Sequence, residues 1–120
     1  MSYWYDGTIS YKGIWKNNQR TNFGIEYDQN FCLVYKGQWL TDKRHGSGTS
    51  YYTNGNKQYE GDWLNGSRHG MGTLYDQLFG HKSYKGKWFE GTQNGYGEVF
   101  NENGDCVHVG VFEDGAALQN

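Results

Sequence analysis

Tyr35-Lys36-Gly37-Gln38-Trp39 returns after 24 residues as Tyr59-Glu60-Gly61-Asp62-Trp63, and after a further 25 as Tyr84-Lys85-Gly86-Lys87-Trp88. Upstream, Tyr11-Lys12-Gly13-Ile14-Trp15 precedes this series by 24 residues, and a degenerate copy, His108-Val109-Gly110-Val111-Phe112, follows it by 24. A fixed period of this size marks a solenoid or repeat array, and it decides the architecture before any propensity argument. Such chains present a long repetitive surface to a partner in place of one catalytic pocket.

Counting each repeat from its first Tyr as position 0, glycine fills position 2 in all five copies, Gly37, Gly61 and Gly86 being the central ones. Position 13 holds Gly24, Gly48, Gly72 and Gly97. Position 11 holds Gly46, Gly70 and Gly95, with Asn22 in the first copy; position 7 holds Gly66, Gly91 and Gly115, with Asn18 and Asp42 in the first two. With the turn glycines Gly7, Gly55, Gly80 and Gly104, these columns absorb all 19 glycines, so none remains for a phosphate loop. Asn and Asp replace Gly where a left-handed backbone is expected, and they tolerate it best.

Aromatic residues follow the same period. Trp15, Trp39, Trp63, Trp88 and Phe112 share position 4, while Tyr3, Tyr27, Tyr51, Tyr75 and Phe100 share position 16. Positions 0, 2 and 4 fall on one face of a strand, since side chains alternate. A Tyr and a Trp therefore flank each glycine, leaving room for a ring of the neighbouring repeat to lie against the backbone. A stacked aromatic core is the first reading of these columns.

The expected fold is all-β: a single-layer antiparallel array of about nine or ten hairpin strands, elongated and curved or twisted, in one domain. A turn-rich stretch such as 64–69 separates the strands within a copy. Asn54-Gly55 and Asn103-Gly104 mark the turn into the next copy, and Asp6-Gly7 occupies the same positions. Residues 1–10 then form a half repeat, residues 11–34, 35–58, 59–83 and 84–107 form full repeats, and residues 108–120 form a terminal half repeat. A hydrophobic fraction of only 35% beside 18% aromatic residues suits a thin sheet, in which large rings do the burying. The absence of proline suits an unbroken ladder. No apolar run approaches the roughly 20 residues of a membrane span, and no signal peptide is recognised ahead of the first repeat. Cys32 and Cys106 stand three repeats apart, roughly 28 Å at the usual strand spacing, beyond disulfide reach. That favours a reducing, cytoplasmic location.

The pattern Tyr-x-Gly-x-Trp, a glycine-rich turn, then His-Gly-x-Gly, clearest in residues 35–58 and 59–83, resembles the MORN repeat (membrane occupation and recognition nexus). The resemblance implies antiparallel hairpins with a groove on one face. It also implies scaffolding, binding of partner peptides in that groove, dimerisation through terminal repeats, and placement at membrane or cytoskeletal junctions. MORN arrays also occur joined to enzymes, but no such catalytic domain is present in this sequence. Asn22, His108 and Phe112 depart from the pattern, at the end copies.

No catalytic residue, metal site or cofactor is expected. His45 and His69 fill position 10 in successive copies, but about 10 Å apart they cannot share a zinc ion; they read as turn residues bonded to backbone. Cys106 and His108 share a strand face at a terminal repeat and read as fraying rather than a nucleophile pair. Glu90, Glu113 and Asp114 read as solvated loop charges. Lys12, Lys36, Lys85 and Lys87 share the face opposite the Tyr and Trp columns, but Glu60 and Asp62 interrupt them. With a net charge of −2, phospholipid binding ranks low and nucleic acid is not expected.

The leading expectation is a non-catalytic interaction scaffold. Its protein or peptide partner would lie along a groove bordered by Trp39, Tyr51, Trp63, Tyr75 and Trp88, because Tyr and Trp dominate interface hot spots. The alternative is a building block of a cytoskeletal, axonemal or viral assembly, joined through its terminal repeats. Val107, Val109, Val111 and Phe112 form a strand apolar on both faces without Lys or Pro to protect its edge, which points to a homodimer or end-to-end contact there. Residues 116–119, folding back, are the competing cover.

Overall fold

The computed structural model describes residues 2, 3 and 9–118. The Asp6-Gly7 turn, and Trp4 and Tyr5, lie outside them. The described chain forms one open antiparallel sheet in which every strand pairs with its sequence neighbours, and no helix. Its strands are β1 (Ser2–Tyr3), β2 (Ile9–Lys16), β3 (Gln19–Tyr27), β4 (Leu33–Leu40), β5 (Lys43–Tyr51), β6 (Lys57–Leu64), β7 (Ser67–Tyr75), β8 (Lys82–Phe89), β9 (Thr92–Phe100), β10 (Cys106–Glu113) and β11 (Ala116–Ala117). The array measures 52 × 28 × 17 Å. Its radius of gyration of 15.8 Å exceeds the roughly 14 Å of a compact domain this size.

Two kinds of turn alternate. Within a repeat the turn has two residues, both at positive φ: Asn65 (49°) and Gly66 (89°), or Thr41 (51°) and Asp42 (67°). This left-handed pair matches the strand twist, and it explains why Asn18 and Asp42 can replace glycine. The turn-rich stretch expected over 64–69 shrinks to Asn65-Gly66, and Ser67–His69 already belongs to β7. Asn54-Gly55 and Asn103-Gly104 lie instead in longer loops between repeats. There Tyr52 N–H donates to the Asn56 carbonyl and Gly55 N–H to that of Tyr52. The Asn54 carboxamide oxygen accepts from Asn56 N–H in an Asx turn.

The core is one file of rings along one face. Trp39 packs edge-to-face between Tyr11 and Tyr35, Trp63 between Tyr35 and Tyr59, and Trp88 between Tyr59 and Tyr84, with Phe112 closing on Tyr84. Centroid separations across this file run from 5.1 to 5.4 Å, the favourable T-shaped range. Because each Trp bridges its own Tyr and the preceding one, no repeat completes its core alone.

The position-2 glycines make room for this file, though not as expected. Gly37 faces Gly48 across the β4–β5 pair, and the ring lying over both belongs to Tyr35 of the same repeat. The neighbouring repeat contributes instead the indole that closes on that Tyr. Gly61 and Gly86 stand alike, against Gly72 and Gly97 under Tyr59 and Tyr84. A β-bulge follows each glycine, at Gln38, Asp62 and Lys87, and its carbonyl accepts the Tyr hydroxyl at 2.8, 2.8 and 2.9 Å. The indole N–H groups of Trp39, Trp63 and Trp88 donate to the carbonyls of Gly24, Gly48 and Gly72. Every ring thus buries its area and pairs its polar tip.

Candidate functional site

The sheet has two unlike faces. Gly48 pairs with Gly37, so Gly48 and Ser50 of β5 share the core face, while Ser47, Thr49 and Tyr51 point the other way. The expected groove residues are therefore not brought together. Trp39, Trp63 and Trp88 are only 4%, 6% and 5% exposed on the core face, because the Tyr on either side encloses each indole; Trp39 and Trp88 merely edge separate depressions of about 250 and 400 Å³. Tyr51 and Tyr75 are half-buried on the opposite face, where the Tyr75 hydroxyl donates to Glu60 at 3.0 Å and Lys57 lies over its ring.

That opposite face carries an open groove of about 580 Å³ bordered by Phe23, Lys36, Thr49, Tyr51, Glu60 and Asp62. Its charges are mixed, and Lys57 pairs with Glu60 at 3.3 Å. Lys12, Lys36, Lys85 and Lys87 are exposed there, with Glu60 and Asp62 between them, so no continuous basic stripe forms. Phe23, Met71 and Tyr96, one per repeat at position 12, are half-exposed along it. Sequence reading passed over this column because Ser47 interrupts it.

On the core face, Arg20, Arg44 and Arg68 cover the file of rings. Each guanidinium lies over the Tyr of its own repeat and the Trp of the next: Arg20 over Tyr11 and Trp39, Arg44 over Tyr35 and Trp63, Arg68 over Tyr59 and Trp88. Arg20 pairs with Asp42, whose carboxyl that contact holds below the usual carboxylate range, and Arg44 pairs with Glu26 at 3.0 Å. Arg at position 9 of three successive copies is a sequence signal, but it lies in a polar stretch that reads as a turn.

His45 and His69 stand in β5 and β7 rather than in turns, because the two-residue turns let these strands begin early. His69 packs on Phe89, and the buried His45 Nδ1 has no hydrogen-bond partner among the described residues. The Cys106 thiol donates to the backbone carbonyl of His108, whose imidazole packs edge-on to Phe112, so the two side chains make no nucleophile–base pair. Both cysteines are free thiols. Among the described residues no group of His, Cys, Asp or Glu is arranged to hold a metal ion. At the end of the array Val107, Val109 and Val111 are exposed, but Phe112 is core, only 5% exposed beneath Tyr84. Strand β11 does fold back, pairing at Phe112 and Glu113, and Leu118 N–H reaches the Val111 carbonyl.

No curated protein sequence matches the chain. The family model of the MORN repeat matches residues 11–32, 35–57, 59–77 and 84–106. These segments follow the Tyr-Gly-Trp strands and the hairpins that complete them. MORN repeats are non-enzymatic modules of protein- and membrane-binding repeat proteins. With the repeat matched across most of its length and built as one hairpin after another, this chain belongs to the MORN-repeat family.

Proposed function

We propose that the chain is a non-catalytic interaction scaffold that seats an extended protein segment along the face opposite the aromatic core. The groove beside Phe23 and Tyr51 carries this reading. It joins half-exposed apolar area to Lys36, Glu60 and Asp62, and similar contacts recur at each repeat, about 10 Å apart. The side chains that define the fold point away from it, so the groove can vary without loss of the core. A photo-reactive phenylalanine analogue at position 23 or 51 tests the reading in cells, with Thr92, exposed at the start of β9, as control site. A discrete protein adduct at 23 and 51 but not at 92 is expected. Equal labelling at all three, or none, overturns it.

A second reading, a building block joined through its ends, draws on the exposed valines of β10 and the short cover that β11 gives them. Concentration-dependent assembly of the purified chain separates it from the first.

A further inference from the structure

The three arginines form an internal comparison. Asp42 of the next repeat satisfies Arg20, and Glu26 of the preceding repeat satisfies Arg44. Arg68 has neither. Gly91 stands at the position of Asp42 and Ser50 at that of Glu26, and the Ser50 hydroxyl is spent on Gln58. The Arg68 guanidinium is centred 5.2 Å from the Tyr59 ring and 5.3 Å from that of Trp88, and among the described residues no acceptor meets its donors. Burial pushes its pKa down, as expected of a cation short of compensation. Between Arg20 and Arg44 lies a depression of about 250 Å³ that also contains Glu26 and Asp42. One repeat further, between Arg44 and Arg68, the corresponding positions hold Ser50 and Gly66.

We infer that Arg68, framed by Tyr59 and Trp88, is a docking site for a carboxylate side chain of an acidic protein partner. The planar fork of a guanidinium fits a carboxylate bidentately, and the rings fix its plane and exclude water from one side. The chain's other two arginines at this position both take carboxylates, which sets the chemistry of the occupant. That precedent selects an acidic peptide over a phosphate-bearing membrane. The site lies on the core face, away from the groove proposed above, so either proposal can fail alone.

The test is a titration of the isotope-labelled protein with hexaglutamate, following the Nε–H signals of its three arginines and the indole N–H of Trp88. Saturable shifts at Arg68 and Trp88 are expected, with Arg20 and Arg44 unmoved. Inorganic phosphate at equal ionic strength and phosphatidylserine-containing vesicles form the other arms. If either shifts Arg68 as strongly as hexaglutamate, or if hexaglutamate leaves it unmoved, the inference is overturned. Arg68→Gln is expected to weaken binding about tenfold or more, the scale of one charge-assisted hydrogen bond. Gly91→Asp keeps the test independent of folding defects. It places a carboxylate where Asp42 serves Arg20, in open space at a turn position whose positive φ Asp42 itself adopts. That variant is expected to shift Arg68 without peptide and to lose hexaglutamate binding; unchanged binding in it counts against the site.

Discussion

The ring of Tyr59 and the indole of Trp88 meet edge-to-face at 5.2 Å across the boundary between two repeats. Trp88 also rests on Tyr84 of its own repeat and donates its N–H to the Gly72 carbonyl at 3.1 Å. One side chain thus ties three strands together. Trp88→Ala removes both ring contacts and leaves that carbonyl without its donor. A loss of about 3–5 kcal/mol is expected from urea unfolding, the usual cost of truncating a buried aromatic residue. A loss below about 1 kcal/mol would mean that the rings do not form the core.

The burial of the central indoles has an optical consequence. Trp15 is 41% exposed, against 4–6% for Trp39, Trp63 and Trp88. In a variant carrying Trp4→Phe and Trp15→Phe, acrylamide is expected to quench the remaining fluorescence weakly. Strong quenching would return the indoles to a solvent-lined groove.

Glycines of two kinds separate by mutation. A Cβ on Gly61 would overlap the Gly72 Cα and the Met71 carbonyl, both backbone atoms that cannot swing aside. Gly61→Val is expected to cost about 1–3 kcal/mol or more, as overpacking does. Gly66 has open space around it and is constrained only by its φ of 89°, and Asn18 and Asp42 hold the same turn position in other repeats. Gly66→Asn is therefore expected to cost less than about 1 kcal/mol. Equal melting temperatures for the two variants would refute the distinction.

Why the fold was legible and the faces were not follows from the same residues. Tyr59, Gly61 and Trp63 repeat with the 2-residue period of a strand inside the period of the array, so both the element type and the architecture could be read. Tyr51 and Tyr75 were misassigned because position 13 pairs with position 2, which reverses the odd–even rule between the two strands of a hairpin. Position 16 then falls on the face away from Trp63. The two-residue turn sets that parity by pairing Leu40 with Lys43 and Leu64 with Ser67, and the irregularities at Gln38 and Asp62 shift the register without exchanging faces. The arginine column was hidden for a related reason: the two-residue turn Asn65-Gly66, in place of a longer loop, sets Arg68 opposite Trp63.

The phenols make stability sensitive to alkali. Burial pushes the Tyr35 pKa from 10.0 up to about 12, and it also raises those of Tyr11, Tyr59 and Tyr84. Burial and the hydrogen bond to Glu60 push Tyr75 to about 12. A phenol whose folded pKa lies above its unfolded value keeps its full contribution below the unfolded value, and loses it as pH rises through the folded one. Unfolding free energy is therefore expected to be unaffected by these groups below pH 10 and to fall steeply from pH 10 to 12. Tyr35→Phe, which removes one such titration along with its bond to Gln38, is expected to shallow that slope. A slope unchanged in the variant would detach Tyr35 from the alkaline transition.

The end of the array supplies the last expected outcome. On β10 the side chains of Val107, Val109 and Val111 are 59%, 48% and 49% exposed, while Phe112 is held beneath Tyr84. Earlier strands carry Lys or Glu at the position of Val109, and Gln, Asp or Lys at that of Val111 from the second repeat onward. Strand β11 covers the β10 edge only at Phe112 and Glu113, with Leu118 N–H on the Val111 carbonyl, so residues 106–110 have no strand neighbour on that side among the described residues. An open edge joined to an apolar face is the usual route to strand-to-strand association. The wild type is expected to sediment with rising apparent mass as its concentration increases. Val109→Lys with Val111→Glu, which restores the charge pattern of the earlier strands and leaves Phe112 in the core, is expected to remain monomeric with little change in melting temperature. A wild type that stays monomeric throughout the range would show that the short β11 cap suffices to close the array.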